Sequence, residues 1–312
     1  MLESLDKLRL LLGPFPDSVA LDAIVLEQVD CGSYIREKVE YTVERDERVR
    51  AYVCVPKTGY LPVPAVFCHH QHASNFDLGK SETVGLIGDP NQAVAAELAE
   101  RGFITFAPDA IAFEERNWSE EPGRAEYFEL ASRLVVGQTL LAKALHDVST
   151  GLNYLCNRPE VDPSRIGFIG HSYGGRMAIW ASAFDKRIRA SVSHCGCIDY
   201  AHSLSRDVGI QMEFCVPGIA KTIDIGDVCA IASPRALLLS ATTDDVWSRG
   251  AKETYTRAKA QFEGDSLELK IWDGGHIFTG EMREFAYNFL DRYLDHNPAI
   301  APPGEYWGQT GA

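Results

Sequence analysis

The chain has 312 residues, 46% of them hydrophobic and 24% charged. That is an ordinary globular mix, with length enough for a sizeable buried core. A net charge of −14 and a pI near 5.1 repel phosphate backbones and anionic lipids, so neither nucleic acid nor a membrane surface is an expected partner. No run of about 18 apolar residues is present to span a bilayer.

At the start of the chain, Leu2, Leu5, Leu8, Leu11 and Leu12 recur at helical spacing. They predict a helix packed on the domain. Glu3, Asp6, Lys7 and Arg9 interrupt any secretory core there. The eight cysteines fall mostly inside apolar runs, as in Val66-Phe67-Cys68. Free buried thiols in a reducing, cytoplasmic setting are therefore expected rather than a disulfide framework.

Residues 39–43 and 49–55 read as antiparallel strands with Asp46-Glu47 at the turn. A buried strand follows at 63–68, then a helix at 92–101 and a strand at 103–107. Leu141, Leu145, Val148, Leu152 and Leu155 extend a long helical pattern over 134–155. Further on come a strand at 166–169, a helix at 174–183, strands at 190–193 and 236–240, and a helix at 252–262. A strand at 267–272 and a helix at 281–293 complete the pattern. Such alternation predicts an α/β fold with a mostly parallel central sheet, helices on both faces and an added N-terminal helix.

One domain is expected over residues 1–312. Segments 110–127 and 200–226 lack periodicity and follow strands. They are expected at the carboxyl edge of the sheet, as lid or pocket segments. The Pro- and Gly-rich tail, 298–312, reads as extended or partly disordered.

The chemistry concentrates in Ile169-Gly170-His171-Ser172-Tyr173-Gly174-Gly175. A buried strand runs into Gly-x-Ser-x-Gly and a helix follows, which is the context of a nucleophile elbow. The turn lifts the Ser172 hydroxyl above the sheet and forces its neighbours two residues away together, so both must be small. A serine hydroxyl needs a base. His276 follows a strand and the pair Gly274-Gly275, and it precedes the last helix. His194 comes too early in the chain, and His296 lies on the tail. The acid should follow the strand at 236–240, where Asp244 and Asp245 compete. Asp244 is favoured on spacing, and Asp245 is the alternative. The oxyanion donors expected are the amides of Tyr173 and of Gln71, in the loop after the strand at 63–68.

His69, His70 and His72 raise the question of zinc. Their spacing makes convergence on one ion difficult, so no metal and no cofactor are expected. Cys195 and Cys197 beside His194 read as strand-end residues, since no second pair completes a zinc motif. Glu114-Glu115-Arg116 reads as a charged surface turn, with a grip on a substrate amine as the alternative.

With these residues in place, the chain resembles the dienelactone hydrolase-like and acetyl-xylan-esterase-like branch of the α/β-hydrolases. It is also similar to prolyl-oligopeptidase-like catalytic domains. The stretches that carry the likeness run from Val161-Asp162-Pro163 through Gly175, then Ala232-Ser233-Pro234-Arg235, then Gly274-Gly275-His276. They lie within a likeness over about residues 40 to 295. The acetyl-esterase pattern His-Gly-Tyr aligns with His69-His70-Gln71, which implies Gln71 as oxyanion donor with His70 replacing the usual glycine. True dienelactone hydrolases use a cysteine nucleophile, so Ser172 implies a different substrate.

The reading is a serine carboxylic-ester hydrolase acting on a small-molecule ester of small acyl group. A peptidase or amidase is the runner-up. A catalytically silent binding module is the alternative from another class. Trp118, Phe113, Trp247 and Phe278 are expected to crowd the acyl site. The sequence does not determine the oligomeric state.

Overall fold

The computed structural model describes residues 2–57, 60–262 and 264–297. The expectation for the tail at 298–312 lies outside them. In chain order the helices are α1 (Leu2–Leu12), α2 (Lys80–Thr83), α3 (Val94–Glu100), α4 (Arg124–Val135), α5 (Leu140–Cys156) and α6 (Tyr173–Phe184). They continue with α7 (Tyr200–Ser203), α8 (Ile225–Ile231), α9 (Ala251–Lys259) and α10 (Gly280–Tyr293). The strands are β1 (Ile24–Asp30), β2 (Tyr34–Glu44), β3 (Glu47–Pro56), β4 (Val63–His69), β5 (Ile104–Pro108), β6 (Val161–His171), β7 (Ile188–His194), β8 (Ala236–Thr242) and β9 (Leu267–Trp272).

They form one sheet in the order β1-β2-β3-β5-β4-β6-β7-β8-β9. The β1–β2, β2–β3 and β3–β5 pairs are antiparallel, and every pair from β5 to β9 is parallel. The period of two along β4 explains why its neighbours form layers. Val63, Ala65 and Phe67 face one core, while Val66 and Cys68 face the other. On the first face Phe67 stacks on Phe168 of β6 at 4.8 Å, beneath residues of α5, α6 and α8. On the second, α3 and α10 cover the sheet through Leu98, Phe289 and Leu290. Leu8 and Leu12 of α1 are fully buried in the first core, as their spacing implied.

One expectation about elements is corrected, and one strand went unread. The pattern over 134–155 is not one helix. Gly137, at φ 78°, turns the chain between α4 and α5. The Thr139 side chain then caps α5 by accepting from the Ala142 amide at 3.2 Å. The apolar run continued across the break because Leu134, Val135 and Val136 end α4 as apolar but exposed residues, and a single glycine does not disturb a count made on residue type alone. β1 went unread because it is an edge strand exposed along almost its whole length, so it shows no alternation.

The eight cysteines are all free thiols, and Cys54, Cys68, Cys195, Cys197 and Cys229 are buried. Among the described residues no helix is long and apolar enough to cross a membrane.

Candidate active site

Because β4 and β6 to β9 are parallel, their carboxyl ends share one edge of the sheet. Loop 70–75, Ser172, Cys195, Asp245 and His276 therefore converge from five strands that are neighbours in register. His69 pairs with Gly170, His171 with His194, His194 with Ser240, and Thr242 with Trp272. This is the edge where open α/β sheets bind ligands.

Ser172 sits between β6 and α6 at φ 58° and ψ −117°. A non-glycine residue held there costs on the order of 1–3 kcal/mol, which its surroundings must over-determine. They do so through the backbone. The Ser172 amide donates to His194 O at 2.8 Å, and its carbonyl accepts from the Arg176 amide at 2.9 Å. A Cβ at Gly170 would collide with the backbone of Gly174, and one at Gly174 would collide with His69 O. A Cβ at Gly175 would strike His194 O, and one at Gly196 the Arg176 amide. Tyr173 is the first residue of α6, so its amide has no intrahelical acceptor.

His276 lies on the loop after β9 with its side chain one-third exposed. Its Nδ1 lies 2.9 Å from Asp245 Oδ1. Here the expectation of Asp244 is corrected. Asp244 is exposed and contributes its amide to Gly274 O at 2.8 Å, while Asp245 is the carboxylate on the histidine. Asp245 also accepts from the Trp247 amide at 3.1 Å and the Ser248 hydroxyl at 2.7 Å. Burial opposes its ionisation, yet the bonds from His276, Ser248 and Trp247 outweigh that and hold the carboxyl below its ordinary range. The short turn over Val246–Ser248 turns Asp245 inward as its N-cap. The missed signal was Asp245 three residues before Ser248. Counting residues from the strand end could not see it. The His276 ring, with Nε2 not used by Asp245, packs on His171 at 4.5 Å, beside Ser172.

The loop after β4 is built around its histidines. The Ala110 amide donates to His70 Nε2 at 3.0 Å, so Nδ1 carries the proton and donates to Gln71 O at 2.7 Å. His70 thus serves as an internal strut where the family pattern has glycine. Burial holds its pKa well below the ordinary value, so it stays neutral. The Gln71 side chain is tied to both carboxylate oxygens of Glu82 at 3.2 and 3.1 Å, leaving only its backbone for the site.

His72 leads to a cluster that the sequence did not reveal. Its Nε2 lies 3.0 Å from Glu126 Oε1, and ligating atoms of His72, Glu126 and Glu213 lie within 4.8 Å of one another. The Ser74 amide donates to His72 Nδ1 at 3.0 Å. The proton therefore sits on Nε2 and points at Glu126, so that nitrogen offers no lone pair to an ion. Glu213 is fully buried, and among the described residues neither carboxylate oxygen has a hydrogen-bond partner. Burial first, then the charge of Glu126, raise its pKa well above the ordinary value, so it is held as the neutral acid. Stability from such a group is complete below its unfolded pKa and is lost as pH rises through the folded one. Glu213→Gln, a neutral isostere, should match wild type near pH 5 and exceed it in Tm by about 2–6 °C at pH 9. Parallel Tm curves against pH would refute this.

Glu114-Glu115-Arg116 is a turn with Glu115 exposed, as expected, and it also supplies charges to buried partners. Fully buried Lys80 contacts Asp109 at 2.7 Å and both Glu114 and Glu115 at 2.6 Å. Arg116 pairs with Asp147 at 2.8 Å and with Glu47. Two buried cations need these acids as counterions, which overrides the preference of charge for water. The four aromatics also divide. Phe113 is core against His70, His72 and Phe76, and Phe278 is core against His194 and His171. Trp118 is exposed, edge-on to Phe128, and Trp247 is half-buried.

A sheet of this order carrying a glycine-lined serine elbow defines a serine hydrolase of the α/β-hydrolase fold. The model of the dienelactone hydrolase family matches residues 80–289, and the chain belongs to that family. It is 28% identical over 294 residues to YtaP of Bacillus subtilis (strain 168), whose name goes no further than hydrolase. That match covers 91% of this chain and 96% of YtaP. The fold is shared with a glucuronoyl esterase from Solibacter usitatus, at TM-score 0.67 and 18% identity, over 93% of this chain and 91% of that one. An acetyl xylan esterase from Paenibacillus sp. R4 gives TM-score 0.65 and 18% identity, over 94% of this chain and 99% of that one.

Proposed function

We propose that the protein hydrolyses small carboxylic esters through an acyl-enzyme formed on Ser172. The observation that carries this is the pairing of His276 with a buried, ionised Asp245 beside the strained Ser172. In this reading Ser172 attacks the ester carbonyl as His276 Nε2 takes its proton. Asp245 fixes the tautomer that leaves Nε2 free and stabilises the imidazolium. The Tyr173 and Gln71 amides receive the negative charge on the tetrahedral oxygen. His276 returns the proton to the leaving alcohol, and water repeats the sequence on the acyl-enzyme. The protein works as a single domain needing no cofactor, with segments 110–127 and 200–226 covering the site.

Esters are preferred over amides because two solved structures that share this fold are named as esterases. A fluorophosphonate probe with mass mapping should label Ser172. Paired ester and anilide substrates should show turnover of the ester alone. Anilide turnover at a comparable rate would support a peptidase instead.

The acyl group is read as short. Acetyl to butyryl esters should give higher kcat/KM than esters of about ten carbons, because buried Phe214 packs on Tyr173, the residue after Ser172, at 5.9 Å and takes up space at the elbow. An open groove would instead contribute up to about 0.8 kcal/mol per methylene. A rise in kcat/KM through decanoyl esters would establish the groove.

A further inference from the structure

The base assigned above hangs on a short, glycine-flanked loop, and the carboxyl ends of three strands meet beside it. Trp272 ends β9, Ser240 lies in β8 and His194 ends β7. Trp272 Nε1 lies 3.0 Å from Ser240 Oγ, which lies 2.8 Å from His194 Nδ1. His194 Nε2 then lies 2.7 Å from Ile277 O, one residue beyond His276.

The proton positions in this chain follow from chemistry alone. An indole nitrogen only donates, so Ser240 Oγ accepts from Trp272 and turns its own proton to His194 Nδ1. A carbonyl only accepts, so His194 Nε2 carries the proton and donates it to Ile277. The chain runs in one direction from Trp272 to Ile277, and Cys195 Sγ also lies 3.4 Å from His194 Nε2. His194 is fully buried and stacks on Phe278 at 4.1 Å, so the ring has no room to turn. Burial pushes its pKa down to about 4, which keeps it neutral near pH 7.

The other side of the loop is held separately. The Thr243 amide donates to Trp272 O at 2.9 Å, the Asp244 amide to Gly274 O at 2.8 Å, and the Gly274 amide to Thr243 Oγ1 at 3.2 Å. Those contacts end before His276. Beyond it, the fixed point on the Ile277 backbone from another strand is His194.

We propose that His194 is a positioning residue for the general base: it latches the Ile277 carbonyl through the Trp272–Ser240–His194 chain and so sets where His276 stands over Ser172. The inference rests on the serine-hydrolase mechanism above. It touches no reacting atom, so its loss should slow acylation and spare substrate binding. A misplacement of about 1 Å can cost about 100-fold in rate.

The test measures fluorophosphonate labelling of Ser172 and ester kinetics in four variants. His194→Phe keeps a stacking ring but removes both nitrogens. It should label about 10- to 100-fold more slowly, with kcat reduced alike and KM within about threefold of wild type. His194→Gln keeps an amide donor near the Nε2 position and should recover to within about fivefold of wild type. Ser240→Ala frees the His194 tautomer and should fall between these two. Trp272→Phe removes only the head of the chain and should cost least.

A mere packing role predicts no rescue by Gln and no effect of Ser240→Ala beyond stability. Should His194→Phe fail to fold, the milder pair His194→Gln and Ser240→Ala carries the same order. Labelling of wild type with an unchanged rate in His194→Phe and Ser240→Ala overturns the latch and leaves the proposed function standing. Failure of wild type itself to label at Ser172 overturns both.

Discussion

Ser172→Ala is expected to lower ester kcat/KM by about 10⁴- to 10⁶-fold while the protein remains folded. The size follows from the role. With no hydroxyl there is no acyl-enzyme, and only the oxyanion donors and substrate binding are left, worth about 10³-fold over water. The fold should survive because the turn is held by backbone bonds, from the Ser172 amide to His194 O and from the Arg176 amide to Ser172 O. None of these uses the hydroxyl. Alanine meets the same left-handed φ as serine, so backbone strain is unchanged. Steady-state kinetics beside a melting curve check both halves. A variant keeping more than about 1% of wild-type rate would show that Ser172 is not the nucleophile.

The second large effect separates two adjacent aspartates. Asp245→Asn should reduce kcat by about 10⁴-fold, and Asp244→Asn by no more than a few-fold. Asparagine at 245 presents an N–H or a neutral oxygen to His276 Nδ1. It therefore either selects the tautomer with Nε2 protonated or fails to stabilise the imidazolium. Asp244 has only its amide in the loop, on Gly274 O, and a side-chain substitution leaves that bond intact. Losses that are equal, or larger at Asp244, would mean that the His276–Asp245 contact is not the one used in turnover.

Asp245 also predicts a pH limit. Its carboxyl is ionised because three donors outweigh burial, so its stabilising effect is present above the ordinary carboxylate pKa and is lost as pH falls through the lowered one. Burial of neutral histidines acts earlier in the same descent. His69 and His194, both pushed down to about 4, cost on the order of 3 kcal/mol apiece between pH 6.5 and 4, as the unfolded chain gains protons the native one refuses.

What the chain order alone could establish was set by local rules. Period-two and helical spacing placed eight of the nine described strands and α3, α6, α9 and α10, because those patterns record which face each element buries, while α8 went unread. The glycines around Ser172 were readable for a related reason. A tight strand-to-helix turn leaves no room for a Cβ at Gly170 or Gly174, whatever the rest of the molecule does. The position of His276 on the loop between the last described strand and the last described helix was readable in the same way.

The remaining choices depended on directions and partners that lie far apart in sequence. Whether Asp244 or Asp245 faces the histidine was decided by a single capping turn, since neighbouring residues there point opposite ways. Glu114, Glu115 and Arg116 look like a solvated run until Lys80 and Asp147 arrive from other elements and pair with them. His194 looked surplus, because the carbonyl it holds is 83 residues away and becomes its neighbour only when β7, β8 and β9 align. Spacing reports what a residue does for its own strand or helix. A hydrogen bond between strand ends has no local signature, so only the tertiary structure decides it.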